Sequence, residues 1–339
     1  MTNNKQNTPP LHLQGNSRIK WVDTAKALGI FLVFWGHLLS GGSPIAIVIK
    51  KVIYSFHMPM YFILSGYVFK NNTSSFGAYI DSKIKRILLP ALFLYLLSLP
   101  IYFMMGIDYS KESVGSILEP VFFLYGRCAY NSPVWFFICI FEVLLVVRLL
   151  RIKTDDSKKL MLVIVSSLIL SYVFYLLDWK YFKLFGLDKC VLGLFFFSIG
   201  IFLNRCLYEK DLLKVALASL PIWIILGIIV QPQVFMYGME LGNFWLYIVS
   251  AISGSLVFFA LCSRVASYET IREYSRWIIF IICSHYVLVT LFKSFSSKIG
   301  FLGTYTYDIL SVLYVISMLL LYRPICRLIE AKIPLLMGK

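Results

Sequence analysis

The stretch WVDTAKALGIFLVFWGHLLSG, residues 21–41, decides the fold class. It is a run of Leu, Ile, Val, Phe, Ala and Gly long enough, at 1.5 Å per residue, to cross most of a ~30 Å hydrocarbon core. Two of its residues do not suit hydrocarbon: Lys26 near the start and His37 near the end. They are eleven positions apart, three helical turns plus about 20°, so both side chains leave one face. The rise between them is roughly 16 Å, half a bilayer core. A polar group at membrane depth costs at least ~2.5 kcal/mol, which makes each one a functional candidate. The plain alternatives are a snorkelling Lys26 paired with Asp23, and a His37 that packs and hydrogen-bonds inside a bundle.

Outward from this stretch the chain repeats the pattern. Of 339 residues, 59% are hydrophobic and only 14% charged, where a soluble domain would be nearer a quarter charged. Apolar runs fall at about 22–39, 52–69, 87–105, 134–150, 160–177, 190–204, 212–230, 244–262, 277–292 and 304–322. They predict an all-α integral membrane protein, a single bundle of about ten transmembrane helices. With the N-terminus inside, 23 of the 32 Lys and Arg fall on the cytoplasmic side, which predicts N-in and C-in. The net charge of +15 is then an orientation signal, and no nucleic-acid partner is expected. Residues 1–20 read as a polar cytoplasmic tail without the apolar core and cleavage site of a signal peptide. Residues 21–330 form the transmembrane domain and 331–339 a cytoplasmic tail. The expected location is the cell membrane, multi-pass, with the lipid bilayer as partner.

Five of the seven Trp (Trp21, Trp135, Trp179, Trp245, Trp277) lie at span ends, the position of an interfacial aromatic belt. No pair of the seven Cys has metal-ligand spacing, so no metal is expected. Only Cys128 and Cys190 fall where an outside disulfide could form. The longest outside connection, about 106–133, is the candidate for a lid.

Further polar groups lie at depth. In YSFHMPMYFILSGYVF, His57 is followed by Pro59, which frees a backbone carbonyl and kinks the helix beside the imidazole; Ser65 and Gly66 read as close-packing residues. In DSKIKRILLP, Lys83 and Arg86 are three apart, hence on one helical face, either a positive-inside flank or a clamp for phosphates. Glu142 sits near mid-span in VWFFICIFEVLLVVRLL, and Ser284 and His285 in RWIIFIICSHYVLVTLF. Three of the four histidines are thus intramembrane.

In order, WVDTAKALGIFLVFWGH, SFHMPMYFILSGYVFK, KIKRILLP, SPVWFF, VLGLFFFSIGIFLNR and YSRWIIFIICSHY resemble the membrane acyltransferase-3 family, over nearly the whole chain. They look most like its fucose 4-O-acetylase-like branch, which O-acetylates surface sugars. In that family a basic residue lies eleven positions before a histidine in the first helix, and Lys26 and His37 match that spacing. The paired arginines before the third helix correspond to Lys83 and Arg86, one position departing from Arg. Some members carry an extra extracytoplasmic domain, which is not expected here because the chain ends soon after its tenth helix.

The resemblance implies an O-acetyltransferase that takes acetyl-CoA from the cytosol and modifies a surface glycan or lipid-linked saccharide, as in polysaccharide modification. The expected cofactor-binding residues are Lys26, Lys83 and Arg86. The expected catalytic residues are His37 as general base or acetyl carrier, His57 in the same role, and Glu142 orienting an imidazole. A polysaccharide or lipid-linked sugar carrier without chemistry is the alternative, but the two halves of the chain show no internal repeat. A membrane polymerase would be expected to need a large outer loop rich in Arg and acids, and the longest outer connection holds only Lys111 and Arg127 as cations.

Overall fold

The computed structural model describes residues 19–104, 118, 120–124, 128, 130–177, 186–265 and 268–339. The tail before residue 19 and most of the connection proposed as a lid lie outside the described residues. Thirteen α-helices carry the described chain: α1 (Lys20–Leu38), α2 (Pro44–Tyr54), α3 (His57–Tyr67), α4 (Phe76–Lys83), α5 (Leu89–Met104), α6 (Trp135–Leu149), α7 (Ser157–Leu176), α8 (Leu187–Cys206), α9 (Leu212–Ile222), α10 (Phe244–Arg264), α11 (Glu269–Arg276), α12 (Ile278–Lys298) and α13 (Tyr305–Lys332). Two π-helical turns, Ile84–Leu88 and Trp223–Val230, extend α4 into α5 and lengthen α9. Among the described residues there is no sheet, only one isolated antiparallel bridge between Phe235 and Glu240.

Nine helical stretches among the described residues are long and apolar enough to cross a membrane, from Pro44–Tyr67 to Tyr305–Lys332. They coincide with the second to tenth expected spans. The first, α1, is 19 residues long but carries Asp23, Lys26 and His37, which lower its hydropathy. The molecule is an all-α multi-pass membrane protein. We call the end of the bundle at Lys26 inner and the end at His37 outer, following the charge distribution.

Helix ends are set by side chains that take up orphan backbone donors. Ser43 accepts from Ala46 N at 3.1 Å with Pro44 opening α2, Asp156 accepts from Lys159 N at 3.0 Å, and Thr304 from Tyr307 N at 3.1 Å. The second span is not one helix but two. Pro59 has no N–H to offer the Ser55 carbonyl, and the chain breaks at Ser55–Phe56 between α2 and α3. Trp223 braces the break, its Nε1 donating to Ser55 Oγ at 2.9 Å.

The tightest packing is between α3 and α8. A Cβ on Gly66 would lie 1.8 Å from Phe197 O, and one on Gly200 2.0 Å from Ile63 O. The two backbones therefore touch where neither residue has a side chain, the way membrane helices associate without hydrophobic drive.

Three of the Trp expected in an interfacial belt are instead inside the protein: Trp21, Trp135 and Trp277 are 3%, 4% and 0% exposed. Trp21 packs on Tyr67 and Phe259, and Trp277 Nε1 donates to Glu330 Oε2 at 2.9 Å. Span-end position fails to tell lipid from protein because both supply an apolar body and a polar rim. The possible Cys128–Cys190 bridge does not form, since all seven cysteines are free.

The inner end is tied by ions. Arg323 Nε and Arg327 Nη2 donate to Glu273 of α11 at 2.9 and 2.6 Å. Burial alone would raise the Glu273 carboxyl, but the hydrogen bonds from Arg327 and Arg323 outweigh it and hold the group below the usual carboxylate range.

Candidate functional site

A cavity of about 270 Å³ opens in the outer half of the bundle. Its imidazoles come from two elements: His37 from the last turn of α1 and His57 from the first turn of α3. The helix break aims His57. Its Nδ1 lies 2.9 Å from the Ile53 carbonyl, and because a carbonyl only accepts, Nδ1 carries the proton and Nε2 keeps its lone pair. His37 Nδ1 lies 3.4 Å from the Tyr54 hydroxyl, and the Tyr54 ring stands between the two imidazoles, 6.1 Å from His37 and 4.9 Å from His57. The cavity thus contains two candidate proton acceptors with a phenol ring between them.

His285, on α12, backs His37 at a ring separation of 5.5 Å. Its Nδ1 is 2.8 Å from Ile282 O, and its buried Nε2 has no hydrogen-bond partner among the described residues. It does not line the cavity; its neighbour Tyr286 does, with its ring 5.2 Å from His37.

The floor is Tyr61. Its ring lines the cavity while its hydroxyl donates to the backbone carbonyl of Lys26 at 3.1 Å. Trp135 and Phe136 wall one side. The roof includes Phe235, Met236 and Tyr237, from a connection that the sequence reading passed over. That connection is closed by Gln231, which donates to Asn243 O at 2.5 Å and accepts from Asn243 N at 3.1 Å. The paired Gln and Asn at its two ends were the available signal. Of the connection expected to form a lid, Ser132 and Pro133 reach the cavity.

Glu142 does not join the imidazoles. Its Oε1 accepts from Gly186 N at 3.1 Å, just before α8, and Oε2 has no hydrogen-bond partner among the described residues. Next to it, Lys189 and Asp188 pair at 3.2 Å. Glu142 therefore serves the start of α8 rather than the cavity.

The expected phosphate clamp is also arranged differently. Lys83 ends α4 and the π turn Ile84–Leu88, which carries Arg86, follows at once, so the two cations do not sit on one continuous α-helix. Lys83 Nζ sits 5.2 Å over the Tyr79 ring, and the Arg148 guanidinium lies 5.4 Å from the same ring. Arg148, Arg151 and Lys153 line a second, inner cavity of about 740 Å³ together with Tyr79. Neither cavity is lined by Lys26, Lys83 or Arg86. Arg86 carries another contact: Gly338 sits so close that a Cβ there would be 2.4 Å from Arg86 O. Among the described residues no group of three or more His, Cys, Asp and Glu is placed to hold a metal ion.

No curated protein and no solved structure matches this chain. The model of one family, Acyl_transf_3, described as an acyltransferase domain, matches residues 19–326. That match takes in α1 with Lys26 and His37, the break before His57 and the α12 segment with His285, so the elements that build the outer cavity all fall within it. The chain belongs to the acyltransferase-3 family, and it is a membrane acyltransferase.

Proposed function

We propose that this acyltransferase works in the cell membrane, moving an acetyl group from cytoplasmic acetyl-CoA to a hydroxyl of a surface-polysaccharide or lipid-linked sugar, as in the fucose 4-O-acetylase-like branch. One observation carries the reading. His37 and His57 share a cavity whose floor, Tyr61, donates its hydroxyl to the backbone carbonyl of Lys26, which ties the cavity to the turn of the first helix that carries Lys26, roughly 16 Å from His37.

On this reading the donor's phosphates stay at the inner face. Lys83 and Arg86 meet them there, with Arg148, Arg151 and Lys153 of the inner cavity beside them. The pantetheine arm runs along the Lys26–His37 face and presents its thioester to the outer cavity. With His37 Nδ1–H donating to Tyr54, Nε2 takes the proton of the sugar hydroxyl as its oxygen attacks the thioester carbonyl. The carbon–sulfur bond breaks, the acetyl ester forms, and the proton leaves with the CoA thiolate.

The test is transfer of radiolabelled acetyl from acetyl-CoA to extracted surface glycan in membrane vesicles. His37→Ala should abolish it while the protein still inserts; retained transfer overturns the role. Lys83→Ala and Arg86→Ala should raise the acetyl-CoA concentration needed for half-maximal rate, and an unchanged value would make them topology signals only.

A further inference from the structure

The sequence places few cations outside, yet two of them turn inward. Lys50 of α2 and Lys293 of α12 both line the outer cavity, reaching it from different helices. Among the described residues no Asp or Glu lines that cavity; its other polar groups are imidazoles, phenols, an indole and a serine hydroxyl. Lys293 has no hydrogen bond or ion pair among the described residues, and Lys50 donates only to the Leu39 carbonyl, at 3.3 Å, while lying 5.9 Å over the Tyr54 ring. Both are half-buried, whereas Lys298, five residues further along α12, is exposed as a membrane flank should be.

Two ammonium groups that share a partly enclosed cavity, with no carboxylate among its described lining, repel each other and have lost part of their hydration. Such an arrangement is costly unless something anionic enters. Snorkelling does not explain it, because a snorkelling lysine reaches out to the interface and not into a cavity beside a histidine.

Resting on the reading of this cavity as the acceptor site, we infer that Lys50 and Lys293 select an acceptor carrying a negative group, either a sugar carboxylate or the phosphate of a lipid-linked saccharide. Lys293 follows His285 by eight residues, about 12 Å along the helix axis, and its side chain leans back toward the helix N-terminus. The anion is therefore held outward of the histidines, away from the reacting hydroxyl. That suits a charge on a neighbouring sugar or at the lipid linkage.

Binding to the full-length protein in nanodiscs tests this without any acyl transfer. The probes are methyl glucuronide, inorganic pyrophosphate and, as the neutral control, methyl glucoside. At least one anion should bind about tenfold more tightly than the glucoside, with an affinity that falls as salt rises. Lys50→Met and Lys293→Met should each remove most of that advantage, and Lys50→Arg and Lys293→Arg should keep it. Preference for the glucuronide assigns the charge to a sugar carboxylate, and preference for pyrophosphate assigns it to a phosphate linkage. The inference is overturned if neither anion outbinds the glucoside, or if the double Met variant binds them unchanged. Slow hydrolysis of acetyl-CoA by the unmodified protein reports separately on the acyltransfer chemistry, so the two ideas fail independently.

Discussion

The imidazoles of His37 and His285 lie 5.5 Å apart, centroid to centroid, yet only His37 faces the outer cavity. His285 is fixed from behind by Ile282 O and by the Phe34 ring at 5.2 Å. It is a positioning residue, because it reaches the cavity only through His37. His285→Ala should lower the maximal acyl-transfer rate about tenfold, equivalent to about 1.4 kcal/mol, with the apparent affinity for acetyl-CoA unchanged. A change confined to that affinity would show that His285 serves the donor path instead.

His57 has a structural duty and a chemical one, and they can be separated. Removing its hydrogen bond to Ile53 O leaves that buried carbonyl with the long contact from Phe56 N at 3.4 Å, at about 1 kcal/mol. His57→Asn keeps a donor in reach, whereas His57→Phe does not. Both should lose transfer if Nε2 handles a proton, but only the Phe variant should melt earlier in detergent. Full activity in the Asn variant would confine His57 to the structural duty.

The contact of α3 with α8 leaves no room for a methyl group. Gly66→Ala or Gly200→Ala forces a carbon into a carbonyl oxygen of the facing helix, at about 1–3 kcal/mol or more. Detergent melting should fall for either variant, and Gly77→Ala, where nothing lies within 4 Å, should leave it unchanged.

The Glu273 clamp has a defined pH signature. Its folded-state pKa is depressed, so the stabilisation is present above the ordinary Glu value of about 4.3 and disappears as pH falls through the lower folded value. The arginines are 37% and 54% exposed, so screening limits the effect to about 1 kcal/mol. Melting followed from pH 7 down to pH 3 should show this loss in the unmodified protein, and Glu273→Gln should start lower and lack that component.

The spans were readable from the sequence because hydrocarbon imposes length and apolarity on every crossing helix. Lys26, His37, His57 and His285 stood out for the same reason, as polar atoms where water is absent. Partners were not readable. Apolar runs do not record which helix faces which, so the contact of Glu142 with the start of α8 and the depth of Trp21, Trp135 and Trp277 emerge only once the bundle is assembled. The π turn after Lys83 was hidden as well, since Ile-Lys-Arg-Ile-Leu is an ordinary helical sequence and its wider turn follows from packing. Lys50 and Lys293 were visible only as minority charges on the outer side. Their significance is that two distant parts of the chain bring them to one cavity.

Tyr61 has a consequence for the cell as a whole. A bundle that passes an acyl group from one leaflet toward the other must not become a conductor, because a continuous file of water would discharge the membrane. With its ring in the cavity floor and its hydroxyl tied to the Lys26 carbonyl, Tyr61 acts as a stopper. On the donor path proposed above, a thioester arm would have to displace that stopper, filling the opening as it did so.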